Sequence, residues 1–331
     1  EIRWPVYPGV WGEGLLFEPA VPPVAQIIVI PDAGETPEQL AGLAPGLPED
    51  RQWIRHLLAA GCRVSAVPLI DPKTDERGSE RLNRRTNQTH REYLYRMAYP
   101  AGRHVIGMDV DRVLAIAGWM RRSLARLPVG IAGYGEGGLV ALYAAALEEE
   151  LRGVLVSGYF GSGDRVWEQP IYRNVWRGYR EFGDAGLAAL VAPRLLMVEF
   201  RDGPVVRTPA EAEGRFGAAP GALQAKAGEA RRAMGEIDPL FRKLGVRCLG
   251  VEAGSGAAIA LAGQLSGSAL KQGAPIEWTN LRPTDPEARG RRMVRQLTAW
   301  VQNEASSAEI ERDSAFWKPL REAKTLDAWK P

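Results

Sequence analysis

The sequence predicts an α/β protein with a mainly parallel central sheet and helices on both faces. Three observations predict it. Continuous apolar runs such as VAQIIVI (24–30), CRVSAV (62–67) and RLLMVEF (194–200) suit strands buried on both sides. Segments of helical spacing fall between these runs, so the strands are joined by crossovers and lie parallel. The 331 residues are 45% hydrophobic, enough for one large core.

Taken in order, IRWPVYPGVWGEGLLFEP reads as two short strands around a Pro-Gly turn. VAQIIVIPDAG (24–34) is a buried strand ending in a turn. PEDRQWIRHLLAAG (48–61) has helical spacing and stops at Gly61, and CRVSAVPLI (62–70) is the next strand. A polar excursion follows, from Asp71 to about position 104, with a helical patch HREYLYRMAY. The basic run RLNRRTNQTHR (81–91) inside it reads as a solvated loop. Val110, Val113, Leu114 and Ala117 mark a strong helix. LPVGIAGYG is a strand with EGGLVALYAAALEEE as its following helix. GVLVSGYF and RLLMVEF are further strands, residues 223–244 are helical, CLGVEAG is the last strand, and DPEARGRRMVRQLTAWVQNEA (285–305) is a closing amphipathic helix. The expected organisation is one domain over 1–303, with residues 71–104 at the edge of the sheet that carries the chemistry, and a linker or docking tail over 304–331.

Composition removes several classes of function. A formal charge of +2 gives no nucleic-acid footprint. No apolar run approaches the roughly 20 residues that span a bilayer. Cys62 and Cys248 read as buried thiols, and two cysteines with three histidines (His56, His90, His104) point to no metal site and no cofactor. The chain opens on Glu1-Ile2-Arg3-Trp4 and ends on DAWKP, which reads as a trimmed or processed piece and leaves secretion open.

The informative motif is GIAGYGEGGLVALYAAAL (130–147). An apolar strand enters a glycine turn and an apolar helix follows at once. A nucleophile elbow reads G-x-S-x-G, with small residues two before and two after the nucleophile because the turn brings strand and helix backbones together. Here it reads Gly133-Tyr134-Gly135-Glu136-Gly137, so Gly135 stands in the nucleophile's seat. A dinucleotide loop would need its glycines after the first strand and an acid ending the second; the turn comes too late, and SGYF stands where the acid would be.

The order of these elements resembles the α/β-hydrolase fold, in its dienelactone hydrolase and acetyl xylan esterase-like branch. The stretches that carry the resemblance are HREYLYRMAYPAGRHVIGMDVDRVLAIAGWM, GYGEGGLVALYAAAL, VSGYF…EQPIYRNVW and LVAPRLLMVEF, over roughly residues 5–303. The resemblance implies a serine, an acid after a later strand and a late histidine. The serine's position is Gly135. The acid's position, past RLLMVEF, is Asp202, with Glu199 as neighbour. The histidine's interval, 253–285, holds none, and no histidine follows His104.

Other groups are candidates for displaced chemistry. Ser157 ends the strand next to the elbow strand, and His90 lies in the excursion. Glu136 stands at a helix start, where the dipole favours a carboxylate. The oxyanion donors of such a site are backbone amides, here of Glu136 and of the loop at Asp32, Ala33 and Gly34, and they need no serine. Asp32, Ala33, Tyr134 and Glu136 are therefore the expected ligand-binding positions, for a small-molecule ester or carboxylate. Three functions fit: a noncatalytic binding or scaffolding domain with a second hydrolase domain in the same polypeptide, a carboxylic ester hydrolase working through Ser157 and His90, or a lyase using Asp202 or Glu136 as general base.

Overall fold

The computed structural model describes all residues except 77–87, 209–220, 244, 246, 255, 272, 275, 279–282 and 330–331. Residues 81–87 of the basic run, and residues 255, 272, 275 and 279–282 of the expected histidine interval, lie outside the described residues.

Eight strands form one sheet. In chain order they are β1 (Ile2–Tyr7), β2 (Val10–Phe17), β3 (Ala25–Ile30), β4 (Cys62–Ala66), β5 (Val129–Tyr134), β6 (Leu151–Ser157), β7 (Leu195–Phe200) and, after a small antiparallel pair β8 (Val206–Thr208) and β9 (Gly221–Leu223), β10 (Cys248–Glu252). Their spatial order is β1-β2-β4-β3-β5-β6-β7-β10. β1 and β2 pair antiparallel, β2 joins β4 antiparallel, and all later neighbours are parallel. The expected mainly parallel sheet is the one observed.

β3 shows why its apolar run is unbroken. All six of its residues are buried. Ile28 and Ile30 join one core cluster while Ile27 and Val29 join the other, because successive side chains point to opposite faces. The first face is covered by α3 (Val105–Ser123), α4 (Glu136–Leu147), α5 (Gly183–Val191), α6 (Ala227–Lys243) and α8 (Pro286–Arg312). The second is covered by α1 (Trp53–Ala59) and α7 (Gly256–Ser266). α2 (His90–Ala98) belongs to the excursion and inserts Leu94 and Ala98 into the first core.

Three elements differ from the sequence reading. The β8–β9 pair is added after β7, and α7 occupies part of the interval where only a missing histidine is noted. α8 runs without a break through position 303 to Arg312. AAIALAGQLS has apolar residues nearly all round, so its period is hard to read; as α7 it buries Ala257, Ala258, Ile259, Leu261 and Ala262 and exposes Ala260 and Gln264.

Candidate functional site

The elbow is built as the glycine spacing demands. β5 ends at Tyr134, Gly135 has φ 58° and ψ −122°, and α4 begins at Glu136. That backbone conformation is strained for any residue with a side chain. The flanking glycines are required by close approach. A Cβ on Gly133 would lie 2.0 Å from the Gly137 carbonyl oxygen, and one on Gly137 would lie 2.3 Å from that of Ile30.

The seat itself is filled. A Cβ on Gly135 would meet Asp32 Oδ1 at 2.5 Å and Pro204 Cγ at 2.7 Å. Asp32 comes from the loop after β3 and Pro204 from the loop after β7. The Glu136 backbone N–H, which in a hydrolase faces the oxyanion, donates to Asp32 Oδ1 at 2.9 Å. Thus the loop expected to supply a second donor supplies an acceptor instead. Burial pushes the Asp32 carboxyl pKa up, against the hydrogen bond from the Glu136 amide. Ala33 and Gly34 line a cavity of about 220 Å³ that faces Leu69, Asp71 and α8; Gly135 is not part of its wall.

Beneath the seat lies a buried ionic network. Glu136 Oε1 accepts from Arg91 at 3.0 Å, and Oε2 accepts from Arg173 Nε at 2.8 Å. Arg91 also donates to Asp109 at 2.8 Å and to the Ile70 carbonyl at 2.9 Å, and Arg112 donates to Asp109 at 3.1 Å. Asp109 and Glu136 are the carboxyl partners of Arg91, Arg112 and Arg173 in this network. Burial acts to raise the Glu136 carboxyl's pKa, but Arg173 and Arg91 outweigh it and hold it below the usual carboxylate range. A carboxylate so saturated is a weak base and a weak nucleophile. Arg91 and Arg173 are the residues sequence reasoning missed. The only local sign is their place in the two stretches, HREYLYR and PIYRNVW, that flank the elbow in the chain.

The other candidates are tied elsewhere. Asp202 is 50% exposed; it accepts from the Ala227 N–H and from Lys226, each at 2.9 Å, and so caps α6. The Ala227 amide, then Lys226, holds its carboxyl below the usual range. Tyr134 donates its hydroxyl to the Asp202 carbonyl at 3.1 Å, and the Arg51 guanidinium stacks 3.3 Å over its ring. Ser157 is buried and donates to Glu199, which also accepts from the Gly254 N–H at 2.9 Å and from Arg201 at 3.3 Å. A carboxylate at the end of β7 thus bonds to backbone in the loop after β10, where the fold resemblance would place histidine.

His90 is buried between Asp71, 2.8 Å from Nδ1, and the Glu76 N–H, which donates to Nε2 at 2.9 Å. It fixes the start of the excursion to α2. His104 caps α3 by accepting from the Ile106 N–H at 3.1 Å, and burial lowers its pKa. His56 lies 3.2 Å from the Glu49 carbonyl. The structure therefore brings Gly135, Asp32 and Glu136 together and gives Ser157, His90 and Asp202 separate partners. Cys62 and Cys248 are free thiols, each pushed up to about 12 by burial.

No family model matches the chain, and no curated protein matches it in sequence. Solved structures similar to it include a Bacteroides fragilis NCTC 9343 protein assigned as an acetyl xylan esterase, at 16% identity and a TM-score of 0.48; the match covers 60% of this chain and 58% of that one. The dienelactone hydrolase of Anabaena variabilis ATCC 29413 matches at 16% identity over 80% of this chain and 94% of its own, with a TM-score of 0.41. A glucuronoyl esterase from Solibacter usitatus matches at 13% identity over 80% and 79%, with a TM-score of 0.43. By its strand order and by the strained turn between β5 and α4, the chain has the α/β-hydrolase fold.

Proposed function

We propose that this is a noncatalytic hydrolase-fold domain, a binding or scaffolding part of a larger hydrolase whose chemistry resides in a second domain of the same polypeptide. The observation that carries the reading is the Asp32 carboxylate, hydrogen-bonded to the Glu136 amide and standing where a side chain on residue 135 would begin. An oxyanion donor contributes roughly 3 kcal/mol to a transition state. Here the donor is already satisfied by the chain's own anion, and a substrate oxygen would have to displace it. The Ser157–Glu199–Gly254 linkage and the Asp71–His90 pair support the reading further. Each uses a group that a displaced esterase site would need, and neither touches the other.

The test is turnover of a small activated ester, together with labelling by a serine-reactive phosphonate. This reading expects neither, and expects Gly135→Ser alone to stay inactive because no histidine follows His104 to serve as the base. Hydrolysis by the wild-type chain that is lost on Ser157→Ala or His90→Ala would replace it with the ester hydrolase reading.

A further inference from the structure

Two surfaces of this chain carry large apolar side chains with nothing over them. The first is a groove of about 630 Å³ formed by α2 and residues 166–180. Tyr95, Tyr99, Trp167 and Trp176 line it, and Trp167 and Trp176 are 77% and 79% exposed. Its walls include Arg96, Arg177 and Arg180 and no acidic residue. Arg96 pairs with Glu92 and Arg177 with Glu181, while Arg180 makes no ion pair among the described residues.

The second surface is the C-terminal arm. α8 packs on the body through Met293, Val294, Leu297, Trp300 and Val301, and its last tie is Glu304 to Arg103 at 2.7 Å. The helical course continues from Arg312 through Asp313–Trp317 and Lys318–Glu322, and none of these later residues is buried. Beyond the π-helical turn Asp313–Trp317, Leu320 lies three residues after Trp317 and four after Phe316, as on one helical face, while Ile310, 75% exposed, precedes that turn. Glu309 and Glu311 make no ion pair among the described residues. Over residues 305–322 the arm is apolar and nearly neutral, with Glu309, Glu311, Asp313 and Glu322 against Arg312, Lys318 and Arg321; the groove is aromatic and basic.

We propose that the arm of one copy docks in the groove of a second copy, and that reciprocal exchange makes a two-fold dimer. The arm's root lies beside the groove, since Arg103, which holds Glu304, follows the Tyr99–Ala101 turn and Tyr99 is part of the groove wall. From Ala305 to Glu322 the helix extends about 27 Å. A rod that leaves the body there cannot reverse into the groove at its own base, but it reaches a neighbour. An amphipathic helix in an aromatic groove is a recurrent docking mode. Reciprocal exchange closes the assembly with no unsatisfied end. Each contact would cover about six large apolar side chains, each exposing on the order of 100 Å². Two contacts then bury on the order of 1,200 Å², at the lower end of the range of stable interfaces. Glu309 and Glu311 are the groups to meet Arg180. The proposal goes beyond the noncatalytic reading and does not depend on it.

Sedimentation velocity on the full chain at about 10 µM tests it. The expected result is twice the mass of one chain. Phe316→Ser with Trp317→Ser in the arm, or Trp167→Ser with Trp176→Ser in the groove, should each weaken the dimer at least tenfold with unchanged circular dichroism. Mixing the arm variant with the groove variant should restore a heterodimer, because one intact arm then meets one intact groove. Arg180→Glu should weaken association, and Glu309→Lys with Glu311→Lys in the same chain should recover it. A monomer at about 100 µM would overturn the proposal. So would a dimer indifferent to the groove variants, which would mean that arms pair with arms.

Discussion

The elbow and the edge formed by β7 and β10 engage their polar groups in different ways. At the elbow, the backbone has the geometry of a nucleophile turn, with Gly135 at positive φ and glycines at both flanks, and the Asp32 carboxylate stands against it. At the edge formed by β7 and β10, the side chains are held by structural partners: Glu199 bridges Ser157 and Gly254, and the exposed Asp202 caps α6. The elbow is shaped by packing of strand against helix, so its form is required whether or not chemistry occurs there. The acid and histidine positions lie on loops, where side chains change partners without disturbing the sheet.

The largest effect is expected below the seat. Glu136→Ala leaves Arg91 and Arg173 buried without their shared carboxylate, and removal of one member of such a set costs about 3–5 kcal/mol. Urea denaturation should show that loss, while Asp202→Ala, which removes a solvent-screened cap, should cost under about 1 kcal/mol. Equal losses would erase the contrast between the elbow and the edge.

Next comes the seat. Gly135→Ala adds a side chain to strained backbone and pushes against Asp32 and Pro204, for a loss of about 1–3 kcal/mol. Asp32→Gly in the same chain should return part of it, since the two sites touch and their effects should not add. Additive losses would show that the overlap is not the cause.

The smallest effect is in pH dependence, and its two signs separate two carboxylates of the same site. Glu136 has a lowered pKa in the folded chain, so its stabilisation is present above the ordinary carboxylate pKa and is lost as pH falls through the folded value. Asp32 has a raised pKa, so the folded state binds its proton first. Its contribution therefore rises as pH falls from the raised value to the ordinary one. Denaturation midpoints of wild type minus Asp32→Asn should climb across that window and level off below it. A difference that stays flat would mean that Asp32 is not buried as a charge.

Much of this arrangement is legible in the sequence. Apolar runs and helical spacing give the succession of strands and helices along the chain, and the spacing of Gly133, Gly135 and Gly137 gives the turn, because these are local signals. The partners of Glu136 are not legible: Arg91 and Arg173 lie 45 and 37 residues away and meet it only when the excursion and the 171–173 turn fold over α4. Asp32 is half legible. Its loop is readable as the companion of the oxyanion amide, but nothing in the spacing says that its side chain turns inward and accepts. Ser157 ends β6 as expected, while its bond to Glu199 depends on the β6–β7 register that sets the two opposite each other.

Hydrogen exchange at the Glu136 amide tests the central claim most directly. If Asp32 holds that N–H, the amide exchanges slowly in the wild-type chain and at least tenfold faster in Asp32→Ala, while neighbouring β5 amides are unmoved. An amide that exchanges freely in the wild-type chain, or one equally protected without the Asp32 carboxylate, would contradict the account of a seat closed by the protein's own anion.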